Sequence, residues 1–309
     1  MPNRNREKRY RYWDAGAASL QSLGGPYEYI CPVCLYTFDR EPIEQFRLGH
    51  TLPKSLRGKL EVLVCAGCED GSGHELDAHA CRIDLYHRIS RGNVFPATSA
   101  SLTFEGIEAD VQLQRRPGVD YNDILGQEHR NPPGVLEQQQ AAFQRHVEAG
   151  TTPLELHFRL HLPPTSERRA KVSYLRAAYL TAFAAFGYWA IARPGYDRVR
   201  RQIAEPDAEH IAQFFHRFDD QHGYNVGVLG EPSWQASIVV LMGDYQITLP
   251  LENDDGIYER LAEKAAAGAS WTARGRWFGW PRRPEYRWDR AVAQQISASN
   301  VVPTLTRQR

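Results

Sequence analysis

Four of the five cysteines in this chain of 309 residues form two Cys-x-x-Cys pairs, Cys31 with Cys34 and Cys65 with Cys68. A turn of this spacing projects two thiolates from one loop, and four thiolates at one point make a tetrahedral site for Zn²⁺. The 30 residues between the pairs require a folded insertion. The alternatives are four unrelated buried thiols, which paired spacing disfavours, and a redox role, for which the surrounding sequence lacks a thioredoxin-like βαβ pattern. The sequence therefore predicts a structural zinc site, with Cys81 outside it as a core residue.

Further residues around the cysteines follow a recognisable order. They are His50, Pro53, Ser55, Leu56, Gly58, Cys65, Cys68, Gly73, Leu76, Asp77 and Ala78. In this order and spacing, residues 29–92 resemble the HNH endonuclease family, the ββα-metal nucleases with a Cys-x-x-Cys zinc site. A weaker resemblance covers residues 173–191, which are similar to a segment behind the nuclease module in many bacterial members.

The resemblance implies metal-dependent hydrolysis of phosphodiester bonds in DNA. Such hydrolysis needs a base for the attacking water and a cation for the charge on the leaving oxygen. His50 matches the general base of the family, and an unperturbed imidazole, with a pKa of about 6.5, accepts a proton at neutral pH. Glu69 or Asp70 is expected to hold a catalytic Mg²⁺ or Mn²⁺ through carboxylate oxygens, with His74 or Asp77 one turn further along. The structural zinc fixes the ββα unit and takes no part in the chemistry.

The sequence departs from the family pattern at three places. Gly49 stands where the family has an acidic metal ligand, and Glu69 stands where Asn or His follows the second pair. No Asn lies between Gly58 and Cys65, where Glu61 is the nearest polar residue. The carboxylates of residues 69 and 70 can replace the lost ligands. A second hypothesis stays open, a catalytically decayed, zinc-stabilised module that binds nucleic acid or protein. His74 and Asp77 have structural alternatives too, as a solvent-facing residue and as a cap or salt bridge.

Two groups of cations are candidate phosphate contacts. The first group lies beside His50 and consists of Lys54, Arg57 and Lys59. The second group lies in an arginine-rich, aromatic stretch near the C-terminus and consists of Arg276, Arg282 and Arg283. The alternatives are a solvated turn for the first group and, for the second, a surface loop whose tryptophans pack onto the hairpin at 235–251. The 37 basic and 37 acidic residues cancel, so a nucleic-acid surface must be local, and we expect about three to six phosphate contacts.

The composition limits the class of protein. With 42% hydrophobic and 24% charged residues, the chain is expected to be globular and soluble. No apolar run has the length of a membrane span and no secretory signal is evident, so a cytoplasmic location is expected. The expected partner is nucleic acid, most simply DNA, with no membrane and no small-molecule cofactor. The sequence does not determine the oligomeric state.

Hydrophobic periodicity predicts an α+β fold. The N-terminal domain is predicted to be a zinc-stapled ββα-metal unit (HNH, treble-clef-like). A C-terminal domain of mixed helices and hairpins is predicted to follow it. The predicted division is a flexible basic arm at 1–28, a zinc-binding nuclease domain at 29–95, an α+β domain at 96–297 and a tail at 298–309. Predicted elements include hairpins at 101–115 and 235–251, a strand at 154–162, and helices at 166–192, 196–204, 206–219 and 255–267.

Overall fold

The computed structural model describes residues 4–150, 155–218, 223–251, 256–268 and 273–286, apart from the side chains of residues 73 and 74. The helices are α1 Arg4–Ser22, α2 Ala66–Ser72, α3 Ala78–Ser90, α4 Val135–Glu148, α5 Glu167–Phe186, α6 Tyr188–Ile191, α7 Tyr196–Ala204 and α8 Ile257–Ala266. The strands are β1 Tyr29–Ile30, β2 Thr37–Phe38, β3 Phe46–His50, β4 Glu61–Cys65, β5 Phe95–Phe104, β6 Ile107–Arg115, β7 Asp123–Gly126, β8 His157–Leu160, β9 Phe215–Arg217, β10 Tyr224–Glu231, β11 Ser237–Met242, β12 Tyr245–Pro250 and β13 Arg274–Trp277. This mixture confirms the predicted α+β class. The predicted tail at 298–309 lies outside the described residues.

The chain divides into two compact units. The first combines Met1–Cys81 with Glu167–Arg309, and the second is Arg82–Ser166. The first unit thus joins segments that the sequence-based division assigns to different domains. Helix α5 is the physical reason, because it packs against the segment at 29–81, here called the cysteine module.

The second unit is an antiparallel sheet with strand order β7-β6-β5-β8. Its central hairpin turns at Glu105 and Gly106, which both have positive φ, as the Glu-Gly pair predicts. Ala100, Leu102 and Val111 form its apolar core. Helix α4 contacts β5 and β6, and the strand predicted at 154–162 is β8.

The cysteine module is built from two small hairpins and a helical segment. Strands β1 and β2 pair next to the first knuckle, and the antiparallel pair β3 and β4 runs in register from Phe46 opposite Cys65 to His50 opposite Glu61. A turn of π-helix at Gly73–Asp77 joins α2 to α3. Strand β4 is buried on both of its faces, because its consecutive residues Val62, Leu63, Val64 and Cys65 are all buried.

Helix α5 forms the core of the first unit, as its aromatic stripe predicts. On one side the Tyr179 hydroxyl donates to the Pro32 carbonyl of the cysteine module. On another, the Tyr174 ring lies 4.5 Å from the Tyr245 ring of β12. The predicted helix at 166–192 breaks at Gly187, whose φ of 69° is in the left-handed region, and a Cβ at this position would overlap the Ser19 hydroxyl.

Strands β9 to β13 form an antiparallel sheet with the order β13-β10-β11-β12-β9, here called the C-terminal sheet. The predicted hairpin is β11 with β12, turning at Gly243 with a φ of 69°. The helix predicted at 206–219 is wrong. The chain there is irregular up to β9, because the Gln202 amide bonds the backbone of Ala208 and His210 and Phe215 pairs with Ile247 of β12.

The N-terminal segment differs from the flexible basic arm that its charge predicts. Residues 4–22 form α1, in which Trp13, Ala17 and Leu20 are buried. Their 4-3 spacing places them on one helical face, which packs on the cysteine module. The basic residues of this helix occupy its more exposed faces.

Candidate functional site

The four predicted cysteines converge. The Sγ atoms of Cys31, Cys34, Cys65 and Cys68 all lie within 4.8 Å of one another. Tetrahedral sulfurs about 2.3 Å from one Zn²⁺ are roughly 3.8 Å apart, and Sγ of Cys34 and Sγ of Cys65 are separated by 3.8 Å. The donor set and spacing therefore fit a structural metal ion such as zinc.

Local backbone geometry positions both pairs. At the first, the Leu35 amide donates to the Cys31 carbonyl and the Cys31 amide to the Tyr36 carbonyl, which closes a tight turn with Leu35 at a φ of 60°. The second pair spans the end of β4 and the first turn of α2. The Cys65 amide donates to Cys31 Sγ at 3.5 Å, so the backbone of the second knuckle contacts a sulfur of the first.

Burial and the mutual hydrogen bonds of the four thiols shift their pKa values in different directions. Burial raises the pKa of the Cys31 thiol. Hydrogen bonds from the Cys31, Cys34 and Cys68 thiols lower the pKa of Cys65. A bound cation would deprotonate the thiols, because metal coordination requires thiolates. Cys81, predicted to lie outside the cluster, has its Sγ 2.9 Å from the Ser55 hydroxyl.

His50 ends β3 and faces Glu61 across the hairpin. The two are register partners, and His50 Nε2 lies 3.4 Å from Glu61 Oε1. The Lys8 ammonium of α1 donates to the other Glu61 oxygen. Burial lowers the pKa of His50, and the charges of Lys54 and Lys8 lower it further, while Glu61 opposes them. The imidazole is therefore neutral at pH 7 and able to accept a proton.

The loop after His50 folds into a compact turn. The Leu56 and Gly58 amides both donate to the Pro53 carbonyl, and a Cβ at Gly58 would overlap the Leu52 carbonyl. This close approach explains why glycine is required there. Three cations of this turn are exposed, as their predicted contact with phosphate requires: Lys54, Arg57 and Lys59.

Glu69 lies beside the backbone that precedes His50. A Cβ built at Gly49 would lie 2.7 Å from Glu69 Cδ, so the carboxylate fills the space of the side chain that Gly49 lacks. Helix α2 projects Glu69 to this place directly after the second knuckle. Burial raises the pKa of Glu69, against the effect of Arg176. About a quarter of the side chain, 24%, stays exposed.

Arg176 of α5 holds the two predicted acidic ligands Glu69 and Asp77. Its Nη2 donates to Glu69 Oε2 at 2.5 Å, and its Nη1 lies 3.9 Å from Asp77 Oδ2. The Ser173 hydroxyl donates to Asp77 Oδ1 at 2.6 Å. The Arg176 side chain is fully buried, and its Nε and Nη1 atoms make no hydrogen bond within the described residues. The guanidinium is therefore an interior cation for these two carboxylates.

The other candidate ligands lie elsewhere. Asp70 is exposed, with Oδ1 3.7 Å from Arg47 Nε. The His74 side chain lies outside the described residues. Among the described side chains, the four cysteines are the group of three or more His, Cys, Asp or Glu residues whose ligand atoms meet within 4.8 Å. The structure thus brings Glu69 next to Gly49 and Asp77 next to Arg176, but the side chains that it describes do not form a second cluster of ligands.

The arginines near the C-terminus lie on and behind β13. Arg276 is exposed on that strand, with its guanidinium 5.1 Å from the Phe278 ring centre. Arg282 and Arg283 are exposed in the following segment. The Trp277 ring lies on Gly227 of β10, and the Trp280 ring lies 5.2 Å from the Tyr224 ring of the same strand. The Phe278 ring lies 5.3 Å from the Phe186 ring of α5. Trp288 lies outside the described residues.

Sequence reasoning missed several residues that contact the site. Lys8, Arg176 and Ser173 come from segments distant in sequence, and Glu61 was noted only as a polar residue. One signal was available for Arg176, since it is a lone charge within the apolar run of α5. A buried charge requires a partner of opposite charge.

Comparisons with known proteins add no relative. No family model, curated protein or solved structure matches the chain. Within the described residues, no helix combines the length and apolarity needed to cross a membrane.

Proposed function

We propose that this protein is a metal-dependent endonuclease of the HNH type that hydrolyses phosphodiester bonds in DNA. One observation carries the proposal. The Glu69 carboxylate occupies the space beside Gly49, the residue that precedes the candidate base His50 in β3. The family pattern has its acidic ligand on the strand at position 49, and here a helix residue supplies a carboxylate to the same space.

In this proposal the metal at the cysteines is structural. It ties β4 and α2 to the first knuckle, so that the end of β3 and the start of the helix keep a fixed relation. Four protein ligands close the coordination sphere, as in structural zinc sites, while catalytic sites keep one position open.

His50 acts as the general base. Its neutral imidazole takes a proton from the attacking water, and the positive charge formed on the ring is stabilised by Glu61, 3.4 Å away. Lys8 neutralises the other oxygen of Glu61 and anchors it to α1. Glu61 is therefore a positioning residue for His50, in a register position that the hairpin dictates.

Glu69 is the candidate ligand of the catalytic cation. Mg²⁺ commonly binds proteins through one or two carboxylates, with water and substrate phosphate completing the shell, so one partly exposed carboxylate fits this mode. When bound, the cation would stabilise the charge on the leaving oxygen. Arg176 holds Oε2 of Glu69 from the interior. Asp70, paired with Arg47 at the surface, is the weaker candidate.

One observation favours a second function, a binding module without catalysis. The guanidinium of Arg176 lies between Glu69 and Asp77, where it supplies the positive charge that a divalent ion would otherwise bring. Under this hypothesis the arginine replaced the catalytic cation, and the exposed cations at 54, 57 and 59 bind nucleic acid without cleaving it.

Plasmid nicking separates the two functions. We expect the purified, zinc-loaded full chain to nick supercoiled plasmid with Mg²⁺ or Mn²⁺, and His50→Ala to abolish nicking while zinc content stays unchanged. His157→Ala is the matched control, since the His157 side chain is 77% exposed in the second unit. Glu69→Gln should lower the rate and raise the Mn²⁺ concentration needed for half-maximal rate.

The outcomes are distinct. Equal nicking by the parent and the His50→Ala variant would overturn the endonuclease proposal. DNA binding without cleavage under every divalent metal would establish the binding module instead.

A further inference from the structure

The C-terminal sheet has a cavity that the proposed hydrolysis does not use. Its volume is about 500 Å³, and it is lined by strand residues, by the Leu261 side chain of α8, and by residues of the chain on either side of the sheet. The size lies within the range of about 300–1,000 Å³ that is typical of small-ligand sites.

Strand alternation assigns the cavity to the sheet face away from α5. Tyr245 of β12 contacts Tyr174 of α5, so its alternate neighbours Gln246 and Thr248 point to the opposite face. Both line the cavity, and Thr248 pairs in register with the lining residue Val239. The polar side chains of Gln246 and Thr248 therefore face the cavity.

Gln235 supplies the most specific polar group. Its side chain is 5% exposed and lines the cavity, and its Oε1 atom has no hydrogen-bond partner among the described residues. The turn at Ser233–Gln235 holds its backbone, since the Gln235 amide donates to the Pro232 carbonyl and the Ser237 hydroxyl to the Gln235 carbonyl. A buried acceptor without a donor is costly, so a rotation of the Gln235 side chain that turns Oε1 into the cavity would let a ligand N–H group relieve this cost.

Trp277 forms an aromatic wall. Its ring lies on Gly227, where a Cβ would come within 2.6 Å of the indole Cε3 atom, so only glycine lets the ring approach the sheet. The side chain is 45% exposed, so part of the ring surface is open for a planar group to stack on. Phe214 and Phe218 add further ring surface to the lining.

The described residues that line the cavity include no Asp, Glu, Lys or Arg, and His216 is a histidine among them. Neutral amides with aromatic rings suit a planar heteroaromatic group, because rings stack on aromatic side chains and amides pair with ring edges. Among the described lining residues, a phosphate group would find no Lys or Arg.

We propose that this cavity binds a nucleobase with an exocyclic amine, such as adenine or cytosine. The amine donates to Gln235 Oε1 and the base stacks on Trp277. The base can belong to a free nucleoside or to a nucleic-acid strand, since both present the same ring and amine. This site is independent of the cysteine cluster and of His50.

Calorimetric titration of the full chain tests the proposal. We expect saturable binding of adenosine or cytidine, and at least tenfold weaker binding of purine riboside, which is adenosine without the amine. Gln235→Leu should weaken adenosine or cytidine binding about tenfold without lowering the melting temperature, because it removes an unpaired buried acceptor. Gln144→Leu on the exposed face of α4 is the matched control and should bind as the parent does.

Two further arms complete the test. An oligonucleotide of dA or dC that competes with the nucleoside identifies a strand as the source, and absence of competition identifies a free nucleoside. The His50→Ala variant should bind with unchanged affinity, which separates this site from the nuclease proposal. Absence of saturable nucleoside binding, or unchanged binding by Gln235→Leu, would overturn the proposal.

Discussion

In the cysteine module, residues that are far apart in the sequence meet at one point, whereas acidic residues that are close in the sequence contact different partners. The two cysteine pairs are separated by 30 residues and meet at one point. Glu69, Asp70 and Asp77 lie within nine positions of one another, yet their recorded partners differ: Arg176 for the first, Arg47 for the second, and Ser173 with Arg176 for the third.

The difference shows which sites a local motif can specify. Each knuckle fixes two thiolates by its own turn, so only the meeting of two turns is left to the tertiary fold. The position of a carboxylate on a helix is not fixed by a local turn. The direction of its side chain depends on which cation the tertiary fold places beside it. Here Arg176, 107 positions from Glu69, decides where that carboxylate points.

The largest expected effect is loss of the cysteine cluster. Cys65→Ser should reduce bound zinc from one ion per chain to nearly none, and structural zinc stabilises small domains by about 10 kcal/mol. Because α5 packs on the cysteine module, we expect near-ultraviolet circular dichroism of the C-terminal sheet to be lost as well. Cys81→Ser is the control and should keep its zinc. A folded Cys65→Ser protein with an unchanged melting temperature would contradict the view that the four cysteines hold one structural metal ion.

The second effect concerns the buried guanidinium. Arg176→Met leaves Glu69 and Asp77 without their interior cation, and loss of one partner of a buried ion pair costs about 3 kcal/mol. Urea unfolding measures this change. The double variant Arg176→Met with Glu69→Gln should recover part of the loss, because one uncompensated charge is removed. A change below about 1 kcal/mol would show that water already solvates both carboxylates.

A smaller effect is expected for the pH dependence of nicking. The Glu61 charge raises the pKa of His50 against burial, so Glu61→Gln should lower that pKa. Nicking requires neutral imidazole, so the rate falls as pH decreases through the pKa. The acid limb of the profile should therefore move to lower pH, and the rate above pH ~7 should fall, because Glu61 no longer stabilises the imidazolium formed in the reaction. A shift to higher pH would mean that Glu61 does not act on His50 through its charge.

The smallest effect is expected at the exposed turn after His50. Lys54→Ala should weaken DNA binding at low salt and reduce the slope of log affinity against log salt by about 0.9, the contribution of one phosphate contact. Fluorescence anisotropy at several salt concentrations measures the slope. Glu128→Ala in the second unit is a control that should leave it unchanged. An unchanged slope in Lys54→Ala would remove this turn from the DNA surface.

Much of the fold was predictable because the signals are local. The hairpins at Gly106 and Gly243 follow from turn residues between alternating strands, and α5 follows from its aromatic stripe. Two predictions failed for non-local reasons. The basic residues of α1 predicted a flexible arm, although Trp13, Ala17 and Leu20 form a buried apolar face. The segment before β9 is not helical, because its backbone bonds to Gln202 and β9 pairs with β12.

The sequence by itself determined the cysteine cluster and the residue that ends β3, because their geometry is set within a few bonds of each knuckle and turn. Only the tertiary structure decided that Glu61 faces His50, that Glu69 fills the space at Gly49, and that Arg176 lies between two carboxylates. A buried charge pairs with the opposite charge that is nearest to it in space. That distance is set by the packing of α5 and the hairpin and does not follow from the spacing of the residues in the sequence.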